Sequence, residues 1–215
     1  MTNYLDINSW KRREHYLLFK EYDEPFFNMC AEVDISKTIT YTQAHELSFF
    51  ITSLYLATRT ANGIENFRYR LEGDKVRIFE TINPGSTVLN TDETFSFSYF
   101  NYQQDFRAFY KDSMNILRRF KEGHSNVDPA FERHDLIHFS VIPWIRFSSF
   151  SHARRFNKTE SIPRIVLGKY ESDGLKVMMP VSVEVHHALM DGLHVGRYFQ
   201  LLQELLDKPE ELLGV

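Results

Sequence analysis

The run Leu175-Lys176-Val177-Met178-Met179-Pro180-Val181-Ser182-Val183-Glu184-Val185-His186-His187, continued by Ala188-Leu189-Met190-Asp191-Gly192, carries two signals at once. Leu175, Val177, Met179, Val181, Val183 and Val185 alternate with more polar neighbours, the period of a strand with one apolar face. Pro180 has no N–H to give to a ladder and predicts an edge position or a bulge. One further step of the alternation puts His187 on the apolar side and His186 on the other, so the two imidazoles are not equivalent. Asp191-Gly192 then opens a helical period through Val195, Phe199, Leu202, Leu205 and Leu206.

Working outward, two more segments have helical spacing. From Thr42, a residue type favoured at N-caps, Leu47, Phe50, Ile51, Leu54, Tyr55 and Ala61 share a face. Gln103 to Lys121 gathers Phe106, Phe109, Tyr110, Leu117 and Phe120 on one side. Strand character marks Lys75 to Glu80, set between the turn signals Gly73-Asp74 and Asn83-Pro84-Gly85. It also marks Thr94 to Tyr99 and Leu136 to Ile142, the latter ended by Pro143. There is no βαβ rhythm, repeat or linker. The expectation is one domain over 1–215, of the α+β class, with helices packed on one side of a sheet.

Composition removes several classes of function. At 215 residues and 43% hydrophobic the chain can build a sizeable core. Its 19 Phe, 11 Tyr and 2 Trp suit cores, interfaces and pockets for flat apolar ligands. The net charge of −4 is spread without a basic stripe, which argues against nucleic acid. Lys11-Arg12-Arg13 is the densest basic cluster and reads as a solvated face or a set of ion-pair partners. Cys30 is the single cysteine, so no intrachain disulfide forms. No apolar run approaches the ~20 residues that span a bilayer, and Met1 to Asn8 lacks the layout of a signal peptide. The expectation is a soluble, cytoplasmic protein with no membrane partner.

His187 is the candidate for chemistry. A neutral imidazole accepts a proton near neutral pH, and a positioned one that deprotonates a hydroxyl in the transition state is worth ~10² to 10⁴ in rate. Alternatives stand beside this. A histidine on an apolar face is more often a hydrogen-bonded core residue. His187, Asp191 and His194 match no strong zinc spacing, and the expectation is no metal. Asp191 suits either an N-cap or an ion pair.

His186-His187-Ala188-Leu189-Met190-Asp191-Gly192 fits the HHxxxDG pattern of chloramphenicol acetyltransferases, peptide-synthetase condensation domains and related CoA-dependent acyltransferases. Trp10-Lys11-Arg12-Arg13-Glu14-His15-Tyr16 resembles the opening of the chloramphenicol acetyltransferases. Ser140-Val141-Ile142-Pro143-Trp144 followed by Phe147-Ser148-Ser149-Phe150 resembles their central segment. Phe67-Arg68-Tyr69-Arg70, Thr94-Phe95-Ser96 and Gly168-Lys169-Tyr170 fall in the expected order, so the resemblance covers nearly the whole chain.

That resemblance implies a homotrimer of α+β subunits, each a mixed sheet with helices on one face, with active sites between subunits. It implies acetyl-CoA as co-substrate and direct transfer to the 3-hydroxyl of chloramphenicol in a ternary complex. His187 matches the general base, acting through Nε2 while its own carbonyl holds the Nδ1 proton. Ser140 matches the oxyanion donor, and Asp191 and Arg12 a supporting ion pair. Trp144, Lys169 and Tyr170 match residues that bind CoA, and Phe19, Phe95, Phe97, Phe150 and His152 fall where the acceptor pocket is built. Some positions depart from the best-known enzymes: Phe19 replaces Tyr, His152 replaces Leu and Val166 replaces Thr. Ser48 and Phe50 replace a Lys and a Tyr directed at CoA. A different hydroxylated acceptor is therefore an alternative, and a non-catalytic trimeric binder of hydrophobic ligands is a third.

Overall fold

The structure, a computed structural model, describes residues 3–121, 133–154 and 160–214. The chain opens with β1 (Asn3–Tyr4), α1 (Arg13–Phe19) and the long strand β2 (Phe26–Asp34). Two helices follow, α2 (Ser36–Ala44) and α3 (Phe49–Asn62), then four strands: β3 (Tyr69–Glu72), β4 (Lys75–Ile78), β5 (Asn83–Leu89) and β6 (Phe95–Tyr99). Helix α4 (Phe106–Lys121) leads to β7 (Leu136–Ile142), β8 (Arg164–Gly168), β9 (Glu171–Ser172) and β10 (Val177–His186). Helices α5 (Gly192–Leu206) and α6 (Pro209–Leu213) follow. Among the described residues no helix is long and apolar enough to cross a membrane.

The main sheet runs β2-β10-β8-β7-β5-β6, with β9 beside β10, and a small sheet runs β1-β4-β3. β7 is parallel to both β5 and β8, while the other pairings are antiparallel, so the main sheet is mixed. Val181, Val183 and Val185 of β10 are fully buried on the face that carries α3 and α5, which pack against each other. The opposite face holds Ser182, Glu184 and His186, also buried. There the segment after β7 lies across it, with Phe147 over Gly168 and Arg154 paired to Glu184.

Several sequence expectations change in detail. The helix expected from Thr42 is two helices. Thr42 lies inside α2, its Oγ1 donating to the carbonyl of Ile39 at 3.0 Å, and α3 starts after Ser48, whose Oγ accepts from the N–H of Ile51. Between them Glu46 takes a left-handed φ of 53°. The N–H groups of Leu47 and Glu46 return to the carbonyls of Thr42 and Gln43, the double bond pattern that closes a helix after a left-handed residue. Glycine usually marks that place, and a glutamate hid it.

Asn83-Pro84-Gly85 is not a turn but the start of β5. Proline is tolerated near a strand's first residue, and glycine is needed because the Tyr99 ring lies 3.0 Å from where a Cβ at Gly85 would stand. The strand expected from Leu175 starts at Val177, and Leu175 is 92% exposed. Pro180 sits in an interior strand, not at an edge, and its register with β2 is unbroken by any bulge. It is accommodated because the ladder to β8 begins only at Val181.

Gly168, at the end of β8, closes the packing around this proline. A Cβ there would lie 2.6 Å from Pro180 Cγ and 2.7 Å from Phe147 Cε1. Gly168→Ala is therefore expected to cost about 1–3 kcal/mol through overpacking. The measurement is the urea midpoint at constant m-value; an unchanged midpoint would mean the Phe147 ring moves aside freely.

Candidate active site

β10 ends at His186, and the next N–H, that of His187, donates to the carbonyl of Pro25 at 2.7 Å. This bond fixes where the following imidazole begins. The His187 ring stacks on Phe19 with centroids 3.8 Å apart and planes within 5°, and Phe27 closes a second side at 4.7 Å. The ring is partly exposed, not sealed in the core. Its Nδ1 is buried and has no hydrogen-bond partner among the described residues. The carbonyl of His187 accepts from Arg12 Nη2 at 3.1 Å.

His186 faces the other way, as strand alternation requires. It is buried against Phe26, edge to face at 5.0 Å, and its Nδ1 accepts from the N–H of Ala188. Burial first, then the nearby charge of Arg154, pushes its pKa down to about 4. It is a neutral, hydrogen-bonded core histidine.

Asp191 is both things its position allowed. It is the N-cap of α5, accepting from the N–H of Leu193 at 3.1 Å, and it pairs with Arg12. Burial alone would raise its pKa, but Arg12 and His194 beside it hold the carboxyl below the usual range. Arg12 thus ties together the Asp191 carboxylate and the His187 carbonyl. His194 completes a capping box, its Nδ1 lying 3.1 Å from the N–H of Asp191 and 2.8 Å from Oδ1. Sequence reading treated His194 only as a conceivable metal ligand; the signal for its capping role is its place three residues after an Asp N-cap. No group of three His, Cys, Asp or Glu suited to a metal occurs among the described residues.

Ser140 is not near this imidazole in the same chain. It pairs with Val166, and Val166 with Ser182 of β10. His187 lies five residues beyond Ser182. Two strand spacings and five residues of strand rise separate the two Cα atoms by roughly 20 Å. Alternation also places them on opposite faces of the sheet. Val166 itself is fully buried.

The aromatic candidates divide in the same way. Phe19 is on His187. Phe95 and Phe97 meet edge to face at 5.7 Å on the edge strand β6, and Phe95 is 60% exposed. Alternation and register put both on the sheet face of Ser140. Phe150 and His152 pack edge to face at 4.9 Å on the segment crossing that face.

The helix side holds a cavity of ≈ 440 Å³ between the N-terminus of α3 and the C-terminal ends of β7 and β8. Phe49, Phe50, Pro143, Leu167 and Met179 give it apolar walls, with Lys169 and Tyr170 at one side. Ser53 lines it too, and its Oγ is buried without a partner among the described residues. Tyr170 meets Phe49 edge to face at 5.5 Å, and Lys169 Nζ lies 3.7 Å from Glu171. Trp144 stands outside the cavity wall, 65% exposed. A ligand with an apolar part, a polar group and an anionic end suits these walls. Apolar walls would take its chain, Ser53 an amide, and Lys169 with the helix N-terminus an anion.

A mixed sheet with helices on one face, a braced imidazole at a strand end and a cavity at the strand ends fit the CoA-dependent acyltransferase class that the resemblance implied. The family model described as "Chloramphenicol acetyltransferase" matches residues 1–203. A chloramphenicol acetyltransferase of Clostridium perfringens is 30% identical over 99% of this chain and 98% of its own length. Chloramphenicol acetyltransferase 3 of Escherichia coli is 28% identical over 93% and 94%. A solved chloramphenicol acetyltransferase superposes with a TM-score of 0.87 at 26% identity, covering 96% of this chain and 100% of that one. The Azotobacter vinelandii dihydrolipoamide acetyltransferase shares the fold, with a TM-score of 0.70 at 15% identity over 88% and 84%. The chain belongs to the chloramphenicol acetyltransferase family.

Proposed function

We propose that this chain transfers the acetyl group of acetyl-CoA directly to the 3-hydroxyl of chloramphenicol, with His187 as general base. The observation that carries the proposal is the setting of that ring. It is partly open, stacked on Phe19, and tied through its backbone to Pro25 and Arg12. With Nδ1 buried and Nε2 on the open side, the proton is assigned to Nδ1 and Nε2 meets the alcohol; among the described residues Nδ1 lacks the bond to its own carbonyl that the resemblance implied. As the hydroxyl oxygen attacks the thioester carbon, its proton passes to Nε2 and the carbonyl oxygen becomes an oxyanion. Collapse of that intermediate expels the CoA thiolate, which recovers a proton from the imidazolium. Products are the acetyl ester and free CoA.

Ser140 is proposed as the oxyanion donor, and Asp191 with Arg12 as the brace that holds the base. Because Ser140 is remote from His187 within one chain, a complete site takes His187 from one copy and Ser140 from another. This supports a homotrimer with its sites between subunits. The cavity beside Lys169 and Tyr170 is proposed for the CoA arm, with Trp144 at its approach. Phe19, Phe95, Phe97, Phe150 and His152 then frame the acceptor. A cytoplasmic location and a role in antibiotic resistance complete the proposal.

The test is free-thiol release on adding chloramphenicol to purified protein and acetyl-CoA. Turnover is expected. No thiol at millimolar drug, with the protein folded, would remove chloramphenicol as acceptor. A panel of other alcohols would then decide whether a different hydroxylated molecule is the substrate, the reading favoured by a histidine at position 152. Tight binding without turnover, indifferent to His187→Ala, would point instead to a non-catalytic binder.

A further inference from the structure

His194 sits in the first turn of α5, 8% exposed, and the reaction as described gives it no task. Its Nδ1 lies 3.1 Å from the backbone nitrogen of Asp191 and 2.8 Å from Oδ1 of the same residue. Burial is the largest influence on its pKa and holds it below the ordinary histidine value, against the pull of Asp191. The ring is therefore neutral at neutral pH, with one donor nitrogen and one acceptor. In one tautomer Nδ1 accepts from the Asp191 N–H, and in the other it donates to the carboxylate. Both tautomers hold Asp191.

A glutamate or glutamine at this place would close the helix end as well. What distinguishes this cap is the use Asp191 makes of its second oxygen. Oδ1 accepts from the N–H of Leu193 and faces His194, which leaves Oδ2 for Arg12. The Arg12 side chain is largely buried, and its Nη2 donates to the carbonyl of His187 at 3.1 Å. Arg12 Nε is buried and has no partner among the described residues. The planar fork is thus oriented from its tip, by Asp191 and the His187 carbonyl. Turning the Asp191 carboxylate turns the fork, and with it the peptide that carries the His187 ring. The N–H of His187 is pinned to the carbonyl of Pro25 at 2.7 Å, so a shift of its carbonyl swings the residue about that bond.

We propose that His194 is a positioning residue for acetyl transfer: it fixes the Asp191 carboxylate so that Arg12 sets the backbone of His187. The proposal rests on His187 being the general base and adds a third member to the brace behind it. Misplacing a reacting group by about 1 Å costs up to ~10² in rate, so the effect belongs in kcat and not in substrate binding.

The experiment measures kcat, KM for chloramphenicol and acetyl-CoA, and the unfolding midpoint for wild type, His194→Leu and His194→Gln. Glutamine keeps an acceptor for the N–H and a donor for Oδ1, whereas leucine keeps neither. His194→Leu is expected to lower kcat roughly ten- to a hundredfold with both KM values within about twofold, and His194→Gln to recover most of the loss. If leucine prevents folding, His194→Ala supplies the same comparison with the best helix former. On an Arg12→Lys background, which has a point charge in place of the fork, His194→Leu is expected to add little further loss. A kcat within about twofold of wild type for His194→Leu, even with a lowered midpoint, would make His194 a cap only and overturn the proposal. The full loss persisting on the Arg12→Lys background would overturn it too. If His187→Ala abolished turnover in either case, the base reading would survive that failure. Wild-type turnover in His187→Ala would sink that reading and the proposal with it.

Discussion

His187→Ala is expected to lower kcat/KM for acetyl transfer by ~10² to 10⁴ while leaving the fold intact. The ring packs on Phe19 and Phe27 at a partly open site, so its loss opens space at a rim and not in the core. Its backbone bond to Pro25 and the Arg12 contact to its carbonyl use no side-chain atom of residue 187. CoA binding, proposed for the helix-side cavity between α3 and the ends of β7 and β8, should change little. The check is thiol release, with unfolding midpoint and CoA affinity as controls. Activity within threefold of wild type would show that another group takes the proton.

The second large effect is expected at Ser140. Removing one donor to an oxyanion typically costs ~10² to 10³ in turnover, and Ser140→Ala is expected to do the same with little change in stability. Geometry makes a sharper test available. His187 and Ser140 of one chain are roughly 20 Å apart by strand register, so the proposed site, if it uses both, joins two copies. Co-expression of His187→Ala and Ser140→Ala chains should then restore activity that neither has alone. In randomly mixed cyclic trimers about a quarter of the sites receive both intact residues. Mixed assemblies as inactive as either parent would show that the two residues do not share a site.

Much of this was legible in the primary structure because it is local. The period of two through Val181, Val183 and Val185 requires a strand with a buried face, and the structure has it. The same period requires His186 and His187 to diverge. Asp191 followed by Gly192 and an apolar period of three to four marks the start of α5. Misreadings came where a local signal had an unusual residue or a distant cause. Glu46 ended α2 in the left-handed conformation that glycine usually marks, so the break inside the helix read from Thr42 was missed. Pro84 and Gly85 looked like a turn because the reason for them, parallel pairing with β7 and the Tyr99 ring overhead, lies in other segments.

By itself, the order of residues determined the α+β class, the strand ending in a histidine pair, and the Asp-capped helix after it. Each depends on side-chain periods and caps that act over a few residues. Tertiary structure alone decided that Pro180 is interior and that Ser140 and His187 lie on opposite faces. Those outcomes depend on register between strands far apart in the chain. Register is set by the summed packing of whole faces, which no single short stretch encodes.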